Sequence, residues 1–406
     1  MILGVDLGTS GLKCVITNLN EKIVCSTSTK LNINQFNGNC FEQNPEDWIV
    51  ALETCLHNLK LENIDFSNIE AISFSAQMLG CIIIDEQDKP IRPAILWNDG
   101  RSYLESQYLE NNFTKELLPS GCRPNPGLLL PKLLWIKNNE PNNFKKIKKI
   151  LLPKDYLKLF LTGSFSTDPS DASGTMLFDL IRKDWNQNLI DELEIDRDWL
   201  PEVHPSDKDI GKLRQTLLNK WNFNKKIKII NGAGDNAAAA LGGGIFKNGE
   251  MLITLGTSGV MIMAMDNFNP LIQHNYLTHA HALKNKFILE SVVLGVTNII
   301  DWYCSVFKTT IDEFSELTQH ENYSLIKKYP ILMPYLSGIR TPHEHPNIEG
   351  SIFGLNLNTN KKNIAWAIIE GISFIFKECQ DILINNNYCF PKEIVLIGGG
   401  AKNIQW

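Results

Sequence analysis

One stretch of the sequence isolates a carboxylate among residues that have almost no side chain. Residues 231–244 read NGAGDNAAAALGGG, in which Asp235 is the only ionisable group. A carboxylate can accept the proton of an attacking hydroxyl, and small neighbours leave room for a substrate. The strand-like KIKII before it and the alanines after it place Asp235 at a helix N-terminus, where the helix dipole favours the ionised form. We interpret Asp235 as a general base, with an N-cap that does no chemistry as the alternative.

A five-residue motif, Leu-Gly-Thr-Ser-Gly, occurs at residues 7–11 and again at residues 255–259. Strand-like apolar residues flank each copy, which predicts a β-hairpin in both places. Successive N–H groups in a tight turn can form a nest that binds an anion. One copy alone would be an ordinary hairpin, but two copies favour a duplicated domain with two phosphate loops that face each other across a cleft. The candidate phosphate ligands are Thr9, Ser10, Gly256, Thr257 and Ser258.

A third glycine cluster lies in the C-terminal stretch EIVLIGGGAKNIQW. Its apolar part predicts a strand that leads into Gly398, Gly399 and Gly400, and the residues from Ala401 onward predict the start of a helix. A strand, a glycine turn and a helix N-terminus together form a place where a nucleotide can lie against the backbone. The sequence contains neither a P-loop motif nor the G-x-G-x-x-G motif, so it does not favour those two nucleotide-binding folds.

The composition limits the class of protein. The chain has 406 residues, of which 43% are hydrophobic and 21% charged, enough for two domains with separate cores. A net charge of -6 argues against a nucleic-acid or membrane-surface partner. Nine cysteines without a C-x-x-C pair favour reduced thiols. With no signal peptide and no apolar run of about 18 residues, we expect a cytoplasmic protein.

The elements that must position these groups are those of an α/β protein. Asn44 followed by a proline predicts a helix over residues 44–59. Residues 70–78 and 226–235 each predict a buried strand that opens onto a loop, and open α/β sheets bind ligands at the C-terminal ends of their strands. We expect a domain boundary near residue 231, with an N-terminal domain over 1–231 and a C-terminal domain over 232–406.

These loops, together with the motifs ILWNDGR, LLPKDYL, SDASGTM, PYLSGIRTPH and LIGGGAK, resemble the FGGY family of carbohydrate kinases along the whole chain. Within that family the sequence is most similar to the xylulokinases. The resemblance implies an α/β fold of two actin-like, ribonuclease H-like ATPase domains around a central cleft. It implies transfer of the γ-phosphoryl group of ATP, with Mg²⁺, to a ketose, D-xylulose, to give D-xylulose 5-phosphate. The partners implied are the sugar and ATP, and a homodimer is left open.

The resemblance also assigns roles to individual residues. Asp235 is the catalytic base, and it holds the metal together with Asp6. The residues assigned to the sugar are Met78, Leu79, Trp97, Asp99, Arg101, Asp235, Asn236 and Arg340. The residues assigned to the nucleotide are Thr9, Ser10, Lys13, Gly256, Thr257, Ser258, Gly399, Gly400 and Ala401.

Three departures from the family pattern keep a second function open. Leu79 stands where xylulokinases carry a histidine that hydrogen-bonds the sugar. Ile339 stands where the family usually has an acid, so we expect Arg340 to lack an acidic partner from its own loop. The sequence ends at Trp406, which we expect to leave the second domain incomplete. The alternatives are a weak or inactive remnant that binds ligand without useful turnover, and another actin-like ATPase such as a chaperone.

Overall fold

The computed structural model describes residues 1–20, 22–319, 329–345 and 348–406. The chain divides into two compact units: residues 1–241 with 279–286 form the first, and residues 242–278 with 287–406 form the second. The predicted mixed α/β class is confirmed. The division falls after residue 241 rather than at 231, because Ala233–Gly234 pairs with Ala71–Ala76 and so joins the first sheet.

The first unit holds most of the elements. Its strands are β1 (Ile2–Leu7), β2 (Gly11–Thr17), β3 (Ile23–Lys30), β4 (Asn34–Phe36), β5 (Cys40–Gln43), β6 (Ala71–Ala76), β7 (Ile82–Ile84), β8 (Ala94–Ile95), β9 (Lys149–Leu151), β10 (Ser166–Thr167), β11 (Phe178–Asp179), β12 (Asp184–Trp185), β13 (Glu202–Val203), β14 (Lys228–Ile229) and β15 (Ala233–Gly234). Its helices are α1 (Pro45–Leu61), α2 (Tyr103–Asn112), α3 (Thr114–Leu117), α4 (Leu129–Asn139), α5 (Pro141–Phe144), α6 (Pro153–Thr162), α7 (Pro169–Ser173), α8 (Gln187–Glu192), α9 (Gln215–Trp221) and α10 (Asp235–Gly242).

The main sheet of the first unit has the strand order β14-β6-β1-β2-β3, with β15 also paired to β6. The predicted hairpin around the first Leu-Gly-Thr-Ser-Gly motif is confirmed, since β1 and β2 are antiparallel. β6 pairs with β1 in parallel, and β14 and β15 both pair with β6 in parallel. Alternate residues of β1 are buried, and they pack with α1, whose Trp48 is fully buried. The predicted cap is confirmed, because the Asn44 side chain accepts a hydrogen bond from the Glu46 N–H.

The second unit is built around a sheet with the order β18-β19-β17-β16-β22. Its strands are β16 (Met251–Leu255), β17 (Gly259–Met265), β18 (Leu277–Ala280, of which the last two residues count with the first unit), β19 (Phe287–Val293), β20 (Ile331–Met333), β21 (Ser351–Phe353) and β22 (Ile394–Ile397), with helices α11 (Thr297–Phe307), α12 (Ile311–Leu317) and α13 (Lys361–Asn385). The second predicted hairpin is confirmed by the antiparallel pairing of β16 with β17. The predicted strand before the third glycine cluster is confirmed as β22.

The predicted helix at the end of the sequence is not found. Residues Gly399–Lys402 form a single 3₁₀ turn instead, which the Asn403 N–H closes by donating to the Gly400 carbonyl. All nine cysteines are free thiols, as the sequence predicts. No helix among the described residues combines the length and the apolar character needed to cross a membrane.

Candidate functional site

Asp6 lies near the end of β1 between two polar neighbours on the adjacent strands. In the sheet register it is opposite Lys13 of β2 on one side and Ser75 of β6 on the other. Desolvation by the surrounding chain raises the pKa of Asp6, while a hydrogen bond with Ser75 and the charge of Lys13 act to lower it. Lys13 is exposed and level with this carboxylate, so a positive charge lies beside the first hairpin turn, and its contact with phosphate stays a prediction.

Amide and indole side chains hold the first hairpin loop through hydrogen bonds to Thr9. The Thr9 hydroxyl donates to Gln77 Oε1 (2.8 Å) and accepts from Trp97 Nε1 (2.9 Å), while the Thr9 carbonyl accepts from Gln43 Nε2 (2.7 Å). The predicted phosphate ligand Thr9 is thus engaged in fixing the loop, and Ser10 beside it is exposed. Sequence reasoning missed Gln43 and Gln77, although a glutamine directly after the strand-like stretch AISFSA was a usable signal.

Asp235 is the first residue of α10 and follows β15 directly. Its Oδ1 accepts a hydrogen bond from the N–H of the next residue, Asn236 (2.9 Å). The small residues before it have a packing role that the sequence did not reveal. A Cβ at Gly232 would lie 2.1 Å from the Phe74 carbonyl oxygen, and one at Gly234 would lie 2.6 Å from Met78 Cγ. Glycine therefore allows the segment to lie directly against β6 and Met78.

The two predicted carboxylates lie at the same edge of the first sheet. Asp6 on β1 is level with Ser75 on β6, and Ala233 on β15 is level with the same Ser75. Because β1, β6 and β15 are parallel neighbours, the backbones of Asp6 and Ala233 are separated by about two strand spacings, roughly 10 Å, and Asp235 follows two residues further along the chain. Among the described residues, no group of three or more His, Cys, Asp or Glu could hold a metal. A pair of carboxylates leaves the other coordination positions of a metal ion to water and phosphate, and this arrangement suits Mg²⁺, which keeps several of its waters.

Asp99 and Arg101 form a buried ion pair. Arg101 places Nη2 2.8 Å from Asp99 Oδ2 and Nε 2.9 Å from Oδ1, and its Nη1 lies 2.7 Å from Glu42 Oε1. Burial alone would lower the pKa of Arg101, but the hydrogen bonds and charges of Asp99 and Glu42 outweigh it and raise that pKa. Asp99 also accepts from the Phe41 N–H (2.6 Å). Both side chains thus brace the loop that carries Trp97.

Met78 and Leu79 are buried beside the segment that leads to Asp235. Leu79 has a left-handed backbone, with φ of 69°, which is rare for a residue with a branched side chain. The fully buried Lys132 holds this conformation by donating to the Leu79 carbonyl (2.9 Å) and the Gly127 carbonyl (2.7 Å). A strained conformation at a predicted sugar residue is a feature that functional sites often show. Lys132 was missed because a lysine inside an apolar helix gives no spacing signal.

The predicted nucleotide residues of the second unit lie together at one end of its sheet. β22 runs parallel to β16, with Ile397 opposite Thr254, so the glycine turn after β22 lies beside the loop after β16. A Cβ at Gly398 would lie 2.6 Å from the Leu255 carbonyl oxygen, which shows how closely the two backbones approach. Thr257 is exposed at the tip of the hairpin. The group comprises Gly256, Thr257, Ser258, Gly399, Gly400 and Ala401.

Arg340 belongs to the second unit and has an acidic neighbour. Burial lowers the pKa of its guanidinium, and the carboxylate of Glu344 acts in the opposite direction. The loop turns back on itself here, since the Glu344 N–H donates to the Arg340 carbonyl. The prediction that Arg340 lacks a close acidic partner from its own loop stays a prediction.

Comparisons with known proteins agree over the whole chain. The family model for the N-terminal domain of the FGGY family of carbohydrate kinases matches residues 1–242, and the model for the C-terminal domain matches residues 251–406. A xylulose kinase of Escherichia coli K12 is 33% identical over 407 residues, covering 100% of this chain and 83% of that relative.

Two solved structures resemble the chain closely. A "xyloylose kinase" from Brucella ovis superposes with a TM-score of 0.93 at 32% identity, over 100% of this chain and 83% of that one. A gluconate kinase from Lactobacillus acidophilus superposes with a TM-score of 0.89 at 28% identity, over 98% of this chain and 81% of that one. These comparisons give no support to the alternatives of an inactive remnant or a chaperone.

Proposed function

Because the chain belongs to the FGGY family of carbohydrate kinases, we propose that it phosphorylates D-xylulose with ATP to give D-xylulose 5-phosphate and ADP. That it is a carbohydrate kinase follows from the family, and the choice of sugar rests on relatives named xylulose kinases that are 33% and 35% identical over the full chain. The observation that carries the mechanism is the position of Asp235, a helix N-terminal carboxylate on the same sheet edge as Asp6.

In this mechanism Asp235 accepts the proton of the sugar hydroxyl as its oxygen attacks the γ-phosphorus. The new oxygen–phosphorus bond forms while the bond from the γ-phosphorus to the bridging oxygen breaks, and ADP leaves with those electrons. Asp235 must stay ionised and point at the hydroxyl, which its place at the start of α10 favours. Met78, Leu79 and the braced Trp97 loop contribute the apolar and polar walls around the sugar.

The phosphates of ATP are assigned to backbone N–H groups of the two hairpin loops. The exposed Ser10 and Thr257 lie at the tips of these loops, each in its own unit. Asp6 and Asp235 would hold Mg²⁺, which supplies charge neutralisation of the transferring phosphoryl group when it is bound. The glycine turn at 398–400 would lie against the rest of the nucleotide, because its backbone has no side chains to exclude it.

The test is ADP formation from Mg-ATP with the purified chain across ketoses, polyols and sugar acids, gluconate included. We expect turnover that depends on D-xylulose and that falls by about 10²–10⁴-fold in Asp235→Asn, an isosteric variant that cannot accept the proton. Asp47→Asn, on α1, is the matched control and should retain full turnover. Turnover with gluconate alone would replace the substrate, and an active Asp235→Asn variant would remove the base from the mechanism.

A further inference from the structure

The residue before the proposed base is held by a buried hydroxyl. The Gly234 N–H donates to Ser170 Oγ, with an N–O distance of 3.0 Å. Ser170 lies on α7 and is fully buried, so no water competes for this hydrogen bond. Ser170 belongs to the SDASGTM motif, to which the proposed mechanism assigns no role.

The orientation of the Ser170 hydroxyl is fixed from its other side. Its Oγ donates to Asp168 Oδ2 (2.5 Å), and the same carboxylate oxygen accepts from the Ser170 N–H (3.0 Å) and from Ser206 Oγ (2.8 Å). Because the hydroxyl donates its only proton to Asp168, a lone pair of Oγ is left to accept from the Gly234 N–H. The carboxylate therefore fixes the orientation of the hydroxyl that holds Gly234.

Asp168 is in turn anchored to a buried lysine. Lys154 Nζ lies 2.9 Å from Asp168 Oδ1 and 3.0 Å from Asp155 Oδ1, and all three side chains are fully buried. Because the pair is excluded from water, the charges interact strongly and the carboxylate has little freedom to turn. Lys154 comes from the LLPKDYL motif on α6, so the consecutive helices α6 and α7 meet behind the segment that carries Asp235.

The same cluster also holds the beginning of that segment. Asn231 Nδ2 donates to the Thr167 carbonyl (2.9 Å) and the His204 carbonyl (2.8 Å), and Lys158 donates to Asn231 Oδ1. Both ends of residues 231–234 are therefore tied to buried groups of α6 and of the region around α7. The last of these ties, Ser170 to Gly234, is adjacent to Asp235.

We infer that Ser170 is a positioning residue for Asp235, acting through the Gly234 N–H and oriented by the Lys154–Asp168 ion pair. This inference rests on the proposed function. Ser170 fixes the peptide from which the Asp235 side chain departs, so its hydroxyl acts on the alignment of the base and not on substrate binding. A displacement of about 1 Å at a reacting group can cost about a hundredfold in rate.

The test compares Ser170→Ala with two matched serine-to-alanine controls. Ser206→Ala removes another hydroxyl bonded to the same Asp168 oxygen but leaves the Gly234 N–H with its acceptor. Ser120→Ala removes a buried hydroxyl that also donates to one group and accepts from a backbone N–H, at Leu117 and Cys122, away from residues 231–235. The thermal midpoint of each variant is measured, and assays are run well below the lowest one.

We expect Ser170→Ala to lower kcat by at least about tenfold while KM for sugar and for ATP stays within about twofold. Ser206→Ala and Ser120→Ala should keep kcat within about twofold. Hydrogen exchange supplies a readout that does not depend on turnover: the Gly234 amide should exchange at least about tenfold faster in Ser170→Ala than in Ser206→Ala.

Equal kcat in Ser170→Ala and Ser206→Ala, a loss confined to KM, or unchanged exchange at Gly234 would each overturn the inference. Absence of sugar-dependent turnover in the unsubstituted chain would instead refute the proposed function. In that case the exchange comparison still decides whether Ser170 fixes this segment.

Discussion

Gly232 shows how one residue without a side chain can determine the position of the proposed base. It has a φ of +76°, and a Cβ there would meet the Phe74 carbonyl oxygen at 2.1 Å. Both the left-handed conformation and the contact with β6 exclude a side chain. The segment that leads to Asp235 can therefore reach its place beside β6 only with glycine at this position.

We expect Gly232→Ala to lower the free energy of unfolding by at least about 2 kcal/mol, because a left-handed alanine and an overpacked contact each destabilise. Gly242→Ala is the matched control, since it lies at the end of α10 and its Cβ would meet nothing within 4 Å. That variant should be neutral or more stable by up to about 1 kcal/mol. Urea unfolding measures both, and similar stabilities would contradict the steric argument.

Leu79 is one of the residues that we propose to contact the sugar, and a substitution there tests this assignment. Leu79→His returns the residue that xylulokinases carry, and histidine also tolerates the left-handed backbone better than leucine. One added hydrogen bond of about 0.5–1.5 kcal/mol should lower KM for D-xylulose by about two- to thirteenfold and leave kcat nearly unchanged. Leu79→Phe supplies a ring without a polar atom and should give no such gain. An equal KM in both variants would contradict a polar contact at this position.

For single residues, the sequence indicated which positions are important better than it indicated what each residue contacts. Asp235 was identified from its neighbours, and it does lie at a helix N-terminus. The glycines before it were interpreted as space for a ligand, but Gly232 and Gly234 pack against Phe74 and Met78. The turn that brings Glu344 back beside Arg340 was also not predicted. Contacts between residues far apart, or joined by an irregular turn, leave no pattern in the sequence.

Among the elements, the meeting of α6 with α7 buries an unusual set of charges. Lys154, Lys158 and Asp155 from α6 face Asp168 and Asp171, and all five are fully buried. Two lysines cannot neutralise three carboxylates. Burial therefore raises the pKa of Asp171 well above its usual range, although Lys154 acts to lower it.

This shift predicts how stability depends on pH. An unfolded Asp171 loses its proton near pH 4, while the native carboxyl keeps it, so this group's contribution is fully present below pH 4 and is lost as pH rises through the native pKa. Asp171→Asn removes that loss. The difference in free energy of unfolding between Asp171→Asn and the unsubstituted chain should therefore increase from pH 5 to 7.5, by at most about 1.4 kcal/mol per pH unit.

The range from pH 5 to 7.5 is chosen because the contributions of Asp155 and Lys158 change mainly outside it. Interaction with its lysines lowers the pKa of Asp155 despite burial, so its contribution changes only below about pH 4. Burial lowers the pKa of Lys158 to about 8, so its contribution changes above this window. Asp207→Asn, at an exposed carboxylate, should leave the pH dependence of the unsubstituted chain intact. A difference between Asp171→Asn and the unsubstituted chain that stays constant with pH would contradict a buried, protonated Asp171.

The elements that the sequence predicted well were those with a strong local signal. The Asn44 cap with its proline, and apolar runs on both sides of a glycine turn, gave α1 and the two hairpins. The final helix was predicted wrongly, because a glycine turn after a strand precedes both helices and 3₁₀ turns. Residues 226–235 were predicted as a buried strand that opens onto a loop, but the structure has two short strands there, Lys228–Ile229 and Ala233–Gly234, which both pair with β6 and are separated by the turn at Gly232.

On the scale of the whole molecule, the residues proposed to bind sugar and nucleotide are divided between the two units. Of the residues proposed to bind the sugar, Met78, Leu79, Trp97 and Asp235 belong to the first unit and Arg340 to the second, which also holds the glycine turn and the second proposed phosphate loop. The sequence placed Asp235 in the second domain because it took the glycine-rich run as the boundary. The pairing of β15 with β6 shows instead that Asp235, which directly follows β15, belongs to the first unit.

This division predicts which amides each ligand protects from hydrogen exchange. A ligand at a hundredfold excess over its Kd stabilises the bound state by about 2.7 kcal/mol, which slows exchange about a hundredfold for amides that exchange only from the free state. D-xylulose alone should therefore protect residues 76–79 and 97–101 with the start of α10. ADP without sugar should protect residues 254–260 and 396–401. Residues 214–222, which include α9, carry none of the assigned ligands and serve as the internal control, expected to change with neither compound. Protection by the sugar confined to the second unit would move the acceptor site away from Asp235, and with it the reason to regard this carboxylate as the base.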